Sequence, residues 1–271
     1  SNYLNPKFIL NLSLVAENFY LNKEYDKATK VLKNFDKKYE FYYWFRSKKE
    51  AQIIIKKNGY DEGIDFINSK FSKIDNPNIK IIFDIANFYK NSKNYEKAIM
   101  YYSKIISLLS NNPEVKSDLL YRRGGSYERL GNYEKADEDL LNSLKINPDD
   151  AYVLNYLAYS WLERDYKIDE AMEMLKKAYD LRSNDPYITD SIGWAYYLIE
   201  NYIEAEKYLK KAVELMPEDA TVNDHYGDIL WKLNRNMQAR YFWNYVLSLD
   251  NADEEIKQKI NIKILEGLKN S

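Results

Sequence analysis

A 34-residue pattern that recurs along the chain is the feature that most restricts its fold. The clearest copy is residues 186–219, which carries Gly193 at position 8, Ala205 at position 20, Ala212 at position 27 and a closing Pro217. Larger apolar residues stand between them with helical spacing, which is typical of a helix, a turn and a second helix. A unit this short buries its apolar face only against a neighbouring unit. We therefore expect a stack of two-helix units without a single central hydrophobic core.

The pattern repeats imperfectly about seven times, and the second copy is the most degenerate. Gly63 and Lys70 stand there in place of the expected alanines, and glycine inside a helix costs about 0.5–1 kcal/mol relative to alanine. Residues 113–116 are extra to the period, and we interpret them as an insertion that changes the rotation between neighbouring units. The predicted repeats one to seven are residues 9–38, 43–76, 79–112, 117–150, 151–185, 186–219 and 220–251.

We predict three segments from this spacing. Residues 1–112 hold about three degenerate repeats, and residues 113–251 hold about four more regular ones. Residues 252–271 are predicted to include a C-terminal capping helix, because Ile256, Ile260 and Ile264 follow helical spacing and an open stack needs a terminal cap.

Composition excludes several kinds of site. The chain has no cysteine, so it has no disulfide and no thiolate metal site. No apolar run approaches the roughly 18 residues of a membrane span. The formal net charge of −2 does not predict binding to nucleic acid. Residues 1–116 alone carry a net charge of +7 and residues 117–271 one of −9; we interpret the first half as a lysine-rich, solvated surface.

No catalytic residue, metal site or cofactor is predicted. His225 is the single histidine and is interpreted as a surface residue, although Asp224 and Asp228 stand near it on the same predicted helix. A Ser-His-Asp relay would require a geometry that a repeat does not provide. The acidic pairs at residues 149–150 and 218–219 precede predicted helices. Carboxylates there interact favourably with the positive N-terminal end of the helix dipole. The chain is therefore predicted not to be an enzyme.

The pattern resembles the tetratricopeptide repeat (TPR) family across most of residues 9–251, most closely over 117–247 and least over 43–76. The resemblance implies an all-α fold, a right-handed TPR superhelix (α-solenoid). It also implies a non-catalytic scaffold that holds a peptide or a helix in a concave groove formed by the first helices. The stretches YLAYSWLERD, DSIGWAYYL and VNDHYGDILWKLNRNMQAR further resemble alphaproteobacterial TPR proteins, many of them exported. The compartment stays open between the cytoplasm and the periplasm or cell envelope of a bacterium.

Helical spacing indicates which residues of repeats four to seven face such a groove. Positions 4, 7, 8 and 11 of a first helix form its buried stripe, and positions 2, 5, 9 and 12 form a second stripe beside it. The second stripe is rich in tyrosine, tryptophan and carboxylates, which suit a recognition surface. The alternative is that several of these rings pack on the neighbouring repeat. The predicted partner-binding residues are Tyr121, Arg122, Tyr152, Asn155, Tyr159, Tyr187, Asp190, Trp194, Tyr197, Asp224, Asp228 and Trp231.

The sequence therefore predicts a scaffold or adaptor that binds a peptide or helical segment of a protein partner along repeats four to seven. A basic or amphipathic segment is favoured because the stripe carries carboxylates. The set of lysine, asparagine and arginine positions with which some TPR adaptors clamp a C-terminal carboxylate is not found in three successive repeats. The alternative function is a recognition module of a larger enzyme or cell-envelope assembly, whose catalytic or anchoring part lies outside this chain.

The aromatic segment at residues 39–45 allows two interpretations. The favoured one is packing beneath a distorted junction between repeats one and two. The other is a partner site, including self-association of the chain.

Overall fold

The computed structural model describes residues 6–33, 40–109, 112–249 and 252–268. Within these ranges the chain forms helices and no strand, which confirms the all-α prediction. The helices are α1 (Pro6–Leu21), α2 (Tyr25–Leu32), α3 (Glu40–Asn58), α4 (Tyr60–Phe71), α5 (Ile79–Asn91), α6 (Tyr95–Leu108), α7 (Pro113–Arg129), α8 (Tyr133–Ile146), α9 (Ala151–Glu163), α10 (Ile168–Leu181), α11 (Pro186–Leu198), α12 (Tyr202–Leu215), α13 (Ala220–Lys232), α14 (Asn236–Ser248) and α15 (Glu254–Glu266).

Neighbouring helices pack as the repeat predicts. Helices α1 and α2, α3 and α4, α5 and α6, α9 and α10, α11 and α12, and α13 and α14 form packed pairs. Each pair corresponds to one predicted repeat, although α1 and α3 begin three residues before the predicted starts of repeats one and two. The predicted capping helix is α15, which packs against α14. The arrangement is therefore a series of helix-turn-helix repeats that ends in a single helix.

The chain divides into two compact units, residues 1–136 and residues 137–271. The division that the sequence indicates at residue 113 remains a prediction. The extra residues 113–116 form the first turn of α7, because Asn112 caps this helix by accepting a hydrogen bond from the Val115 backbone N–H and Pro113 occupies the first turn. The extra residues therefore lengthen a helix.

Aspartate caps fix where the first helices of the second unit begin. Asp150 and Asp185 each accept hydrogen bonds from two backbone N–H groups, at the starts of α9 and α11. Asp219 accepts one at the start of α13, and Asp253 one at the start of α15. A carboxylate there satisfies N–H groups that lack a partner within the helix and interacts favourably with the helix dipole. The structural role expected for the acidic pairs is confirmed at Asp150 and Asp219.

In the first unit, Trp44 anchors α3 against α5 and α4. Its indole Nε1 donates a hydrogen bond of 2.9 Å to Asp84 Oδ2 on α5, and its ring meets the ring of Phe71 edge-on at 5.9 Å. Trp44 is buried, so this part of the aromatic segment at residues 39–45 packs internally. Residue 39 lies outside the described residues, and self-association through this segment stays a prediction.

Glycines allow the two helices of repeats six and seven to approach closely. A Cβ atom at Gly193 would lie 2.8 Å from Leu209 Cγ, and one at Gly227 would lie 2.5 Å from Trp243 Cδ1. Both distances are too short for a real side chain, so the partner side chain occupies the space that a Cβ would need. The same kind of close packing occurs in the degenerate repeat two, where the Ile55 side chain fills the space beside Gly63.

Replacing Gly227 with alanine tests this packing. Alanine is the better helix former by about 1 kcal/mol, so local propensity alone predicts a gain in stability. We expect the free energy of unfolding to fall by about 1–3 kcal/mol instead, because the added methyl group displaces the Trp243 ring. Chemical denaturation measures the change. Thr221→Ala, at an exposed position of the same helix, is the control. A Gly227→Ala variant as stable as the control would contradict the packing argument.

Candidate functional site

The first helices of repeats five, six and seven lie side by side in the second unit. Helix α11 contacts α9 on one side and α13 on the other. The predicted stripe residues of these three helices therefore come together on one surface. We call it the inner surface, and it consists of Tyr152, Asn155 and Tyr159 on α9, Tyr187, Asp190, Trp194 and Tyr197 on α11, and Asp224, Asp228 and Trp231 on α13.

Two tyrosines at the helix starts are the most accessible part of the inner surface. Tyr152 is 44% exposed and Tyr187 is 56% exposed. The Tyr152 hydroxyl donates a hydrogen bond of 3.1 Å to Asp185 Oδ2, which raises the pKa of that hydroxyl. The Arg182 guanidinium carbon lies 4.9 Å from the centre of the Tyr152 ring. Tyr152 is thus held in position while much of its ring stays accessible to a ligand.

Asn155 places an unused acceptor one helical turn further along α9. Its side-chain oxygen Oδ1 is shielded from solvent and has no hydrogen-bond partner within the described structure. A buried polar atom without a partner costs about 1–3 kcal/mol. Tyr159, one turn beyond, is half-buried. The α9 part of the inner surface therefore combines aromatic area with an acceptor that lacks a donor.

Trp194 packs between repeats six and seven. Its ring stacks on His225 at 4.0 Å between ring centres and 14° between planes, and on Tyr197 at 4.5 Å and 8°. Its indole Nε1 also donates a hydrogen bond of 3.0 Å to Glu163 Oε1 in repeat five. Burial, with a further contribution from Asp228, raises the pKa of Tyr197. For Trp194 the structure shows the alternative arrangement, packing against the neighbouring repeat, and Tyr197 stacks on Trp194 within repeat six.

The surface position expected for His225 is wrong. The imidazole is buried, and its Nδ1 lies 2.9 Å from Asp190 Oδ2 and 3.1 Å from Asp190 Oδ1. Burial by itself lowers the pKa of His225, but the carboxylates of Asp190, Asp224 and Asp228 outweigh it and the net effect is a raised pKa. Asp190 and His225 stand at positions 5 and 6 of successive repeats. That offset is the sequence signal that would have identified the pair.

A lysine from the capping helix pairs with both carboxylates of repeat seven. Lys263 Nζ donates to Asp224 Oδ1 at 2.6 Å and to both oxygens of Asp228 at 2.8 Å. Asp228 also accepts a hydrogen bond of 3.0 Å from Trp243 Nε1. Burial, followed by repulsion from Asp224, raises the pKa of Asp228 to about 6 although Lys263 opposes the shift. Sequence reasoning missed Lys263, which neither the repeat nor the stripe contains.

Trp231 is likewise covered by the end of its own chain. The Arg240 guanidinium carbon lies 4.8 Å from the centre of the Trp231 ring, and Arg240 Nε donates a hydrogen bond of 3.1 Å to the Ile264 backbone oxygen. A Cβ atom at Gly267 would lie 2.6 Å from Trp231 Cη2, so the chain after α15 presses on this ring. The three predicted residues of repeat seven therefore contact α14, α15 or Gly267.

The two predicted residues of repeat four lie in the first unit. Arg122 Nε donates a hydrogen bond of 2.8 Å to Asp118 Oδ2, and its guanidinium carbon lies 5.2 Å from the centre of the Phe83 ring. Tyr121 is half-buried. Arg122, one of the predicted partner-binding residues, is thus already paired with a carboxylate one turn away on its own helix.

Among the described residues no group of three or more His, Cys, Asp or Glu side chains could hold a metal ion. No helix within the described ranges is both long and apolar enough to cross a membrane.

The raised pKa of Asp228 predicts a pH dependence of stability. The folded-state pKa of about 6 lies above the ordinary value of 3.8, so the stabilisation from protonated Asp228 is complete below about pH 4 and is lost as the pH rises through about 6. We expect Asp228→Asn to remove this decline, about 3 kcal/mol. Urea denaturation between pH 4 and pH 7 measures it. Asp180→Asn, at an exposed position, should keep the wild-type slope; an unchanged slope in Asp228→Asn would contradict the assignment.

Comparisons with known proteins agree with the repeat. Models of the tetratricopeptide repeat match residues 79–112, 117–150 and 191–219. A TPR repeat-containing protein of Pseudomonas aeruginosa is 29% identical over 160 residues, 59% of this chain and 26% of that protein. The lipoprotein NlpI homolog of Haemophilus influenzae is 30% identical over 113 residues, 41% of this chain and 35% of that protein. The chain thus spans about a quarter to a third of the length of these relatives.

Solved structures show the same fold. A tetratricopeptide repeat protein from Parabacteroides merdae, 19% identical, matches 94% of this chain and 98% of its own with a TM-score of 0.72. A TPR protein from Thermus thermophilus, 16% identical, matches 69% of this chain and 100% of its own with a TM-score of 0.60. The helix pairs, the repeat-model matches and these structures lead to one conclusion: the chain is built from tetratricopeptide repeats.

Proposed function

We propose that the chain is a non-catalytic scaffold that binds a peptide or helical segment of a protein partner on the inner surface, at repeats five and six. Membership of the TPR family supports a protein-interaction role in general. The observation that carries the finer proposal is the pair of exposed tyrosines, Tyr152 and Tyr187, on adjacent helices beside the unbonded oxygen of Asn155. Tyrosine offers a large contact area with a polar end at low entropic cost.

The charges of the inner surface refine the kind of partner. Asp190 is paired with His225, and Asp224 and Asp228 are paired with Lys263. A carboxylate that is already neutralised attracts a basic ligand only weakly. We therefore propose an amphipathic segment whose apolar side chains contact the tyrosines and whose backbone N–H donates to Asn155. The predicted contribution of Tyr121 and Arg122 in repeat four remains a proposal without a direct observation behind it.

Replacing Tyr152 and Tyr187 together with alanine tests the surface. Peptides selected from a display library on the wild-type protein should bind the double variant at least about tenfold more weakly, because each truncation removes an aromatic anchor. Isothermal titration calorimetry measures the affinity. Both side chains are largely exposed, so the melting temperature should change little.

The matched control is Tyr241→Ala. Tyr241 is 68% exposed on α14, a second helix, so its loss removes a similar ring from a different surface. Selected peptides should bind this variant as they bind the wild type. Equal weakening in the control and the double variant, or no weakening in either, would contradict binding at repeats five and six.

Replacing Asn155 with leucine separates binding from stability. The buried oxygen costs free energy while it is unpaired, and an apolar side chain of similar size removes that cost. We expect the variant to be at least as stable as the wild type in urea but to bind the selected peptides more weakly. A less stable variant would indicate that the Asn155 oxygen is paired in the free protein, for example with an ordered water, and would contradict its role as a peptide acceptor.

The alternative function, a recognition module of a larger enzyme or cell-envelope assembly, also remains a proposal. The specific observation in its favour is that the relatives are three to four times as long as the stretch they share with this chain. The mass of the native protein in its source cell tests it, and a native mass near 32.3 kDa would contradict it.

A further inference from the structure

The first unit contains a cavity of about 320 Å³ that the proposed function does not use. It lies among the first helices of repeats one to three, α1, α3 and α5, together with the start of α4. Its volume is at the lower end of the range of about 300–1,000 Å³ that is usual for ligand pockets. The aromatic walls include Tyr20, Tyr60 and Phe88, and the polar groups come mainly from α3 and α5.

One charged pair in the wall is internally satisfied. Lys48 Nζ donates a hydrogen bond of 3.0 Å to Asp84 Oδ1, and Trp44 Nε1 donates one of 2.9 Å to Asp84 Oδ2. Both carboxylate oxygens of Asp84 are therefore occupied. Asp84 fixes Lys48 and does not offer its charge to a ligand.

The other polar groups of the wall have unused hydrogen-bonding capacity. Lys56 is exposed and forms no ion pair or hydrogen bond within the described structure. Asn87 Oδ1 accepts a hydrogen bond of 2.6 Å from the Tyr102 hydroxyl, which leaves the Asn87 amide N–H groups free to donate. Gln52 Oε1 is shielded from solvent and accepts no hydrogen bond there. The cavity thus offers a cation and amide donors beside one acceptor.

We propose that this cavity binds the carboxylate side chain of an aspartate or glutamate within an acidic segment of a partner polypeptide. The carboxylate accepts hydrogen bonds from Lys56 and from the Asn87 amide, and such charge-assisted bonds are the stronger kind. A backbone N–H of the same segment donates to Gln52. Tyr20, Tyr60 and Phe88 cover the methylene groups of the side chain. Lys56, Asn87 and Gln52 each gain a partner in this way.

Charge complementarity argues for an acidic polypeptide as the occupant. Within the wall, Lys48 and Lys56 face a single carboxylate, that of Asp84, which gives a formal charge of +1. Residues 1–116 as a whole carry a net charge of +7. An acidic segment would be attracted by this field as well as by the cavity, whereas a small neutral ligand would gain nothing from it. The binding is expected to weaken with added salt.

Blocked peptides test the proposal. The probes are short peptides of alternating glutamate and glycine with an acetylated N-terminus and an amidated C-terminus, and the same peptides with glutamine in place of glutamate. A third probe is the glutamine peptide with a free C-terminal carboxylate, and a fourth is free glutamate. Fluorescence anisotropy or calorimetry with the full chain measures each affinity at low and at physiological salt.

We expect the blocked glutamate peptide to bind, the blocked glutamine peptide not to bind, and Lys56→Gln to weaken the binding of the glutamate peptide about tenfold. Lys104→Gln is the matched control, since it removes the same charge from an exposed position of α6, a second helix, and should leave the affinity unchanged. Gln52→Glu places a carboxylate in the cavity and should abolish binding, and circular dichroism checks that this variant is folded.

Several results would overturn the proposal: absence of binding, equal binding of the two blocked peptides, binding that requires a free C-terminal carboxylate, or tighter binding of free glutamate than of the peptide. If Lys56→Gln and Lys104→Gln weakened binding equally, the net charge of the chain would explain the effect, and the proposal would also be overturned. The Tyr152 and Tyr187 double alanine variant should bind the glutamate peptide as the wild type does. The outcome is therefore independent of the proposed function.

Discussion

The close approach of the two helices within each repeat is the constraint on which the rest of the structure depends. Small residues at position 8 permit it, and in repeats six and seven a large side chain of the second helix fills the space, Leu209 against Gly193 and Trp243 against Gly227. This contact fixes the orientation of a first helix. The direction in which the second stripe of that helix points, at positions 2, 5, 9 and 12, is then fixed as well. The inner surface is thus a by-product of packing, and its composition is free to vary from repeat to repeat.

That freedom is used in two ways along the inner surface. In repeats six and seven, Trp194 stacks between His225 and Tyr197, and Asp190 pairs with His225, so stripe residues hold neighbouring repeats together. In repeat five and at the start of α11 the stripe leaves tyrosines accessible. The same positions therefore stabilise the stack at one end of the surface and remain available for a partner at the other.

Much of the fold was predictable from the sequence, because glycine and alanine at fixed positions, together with helical spacing, depend only on contacts within and between adjacent repeats. The candidate site was less predictable. The stripe rule predicts that Tyr152, Asp190 and Trp194 share one surface, but it takes no account of the groups that pair with the charged residues. Lys263 comes from outside the repeat, and the burial of His225 depends on a pairing between repeats six and seven. The first-unit cavity was missed because its lysines are indistinguishable in sequence from a solvated surface.

The Lys263 contact has a consequence for how the second unit loses its structure. Helices in a linear stack are held mainly by their sequence neighbours, so a local opening can be confined to one helix pair. Lys263 on α15 reaches past α14 to the carboxylates of α13, so detachment of α15 also removes the ion pairs of Asp224 and Asp228 in the helix two places away. Opening of α15 is thereby coupled to α13 as well as to α14.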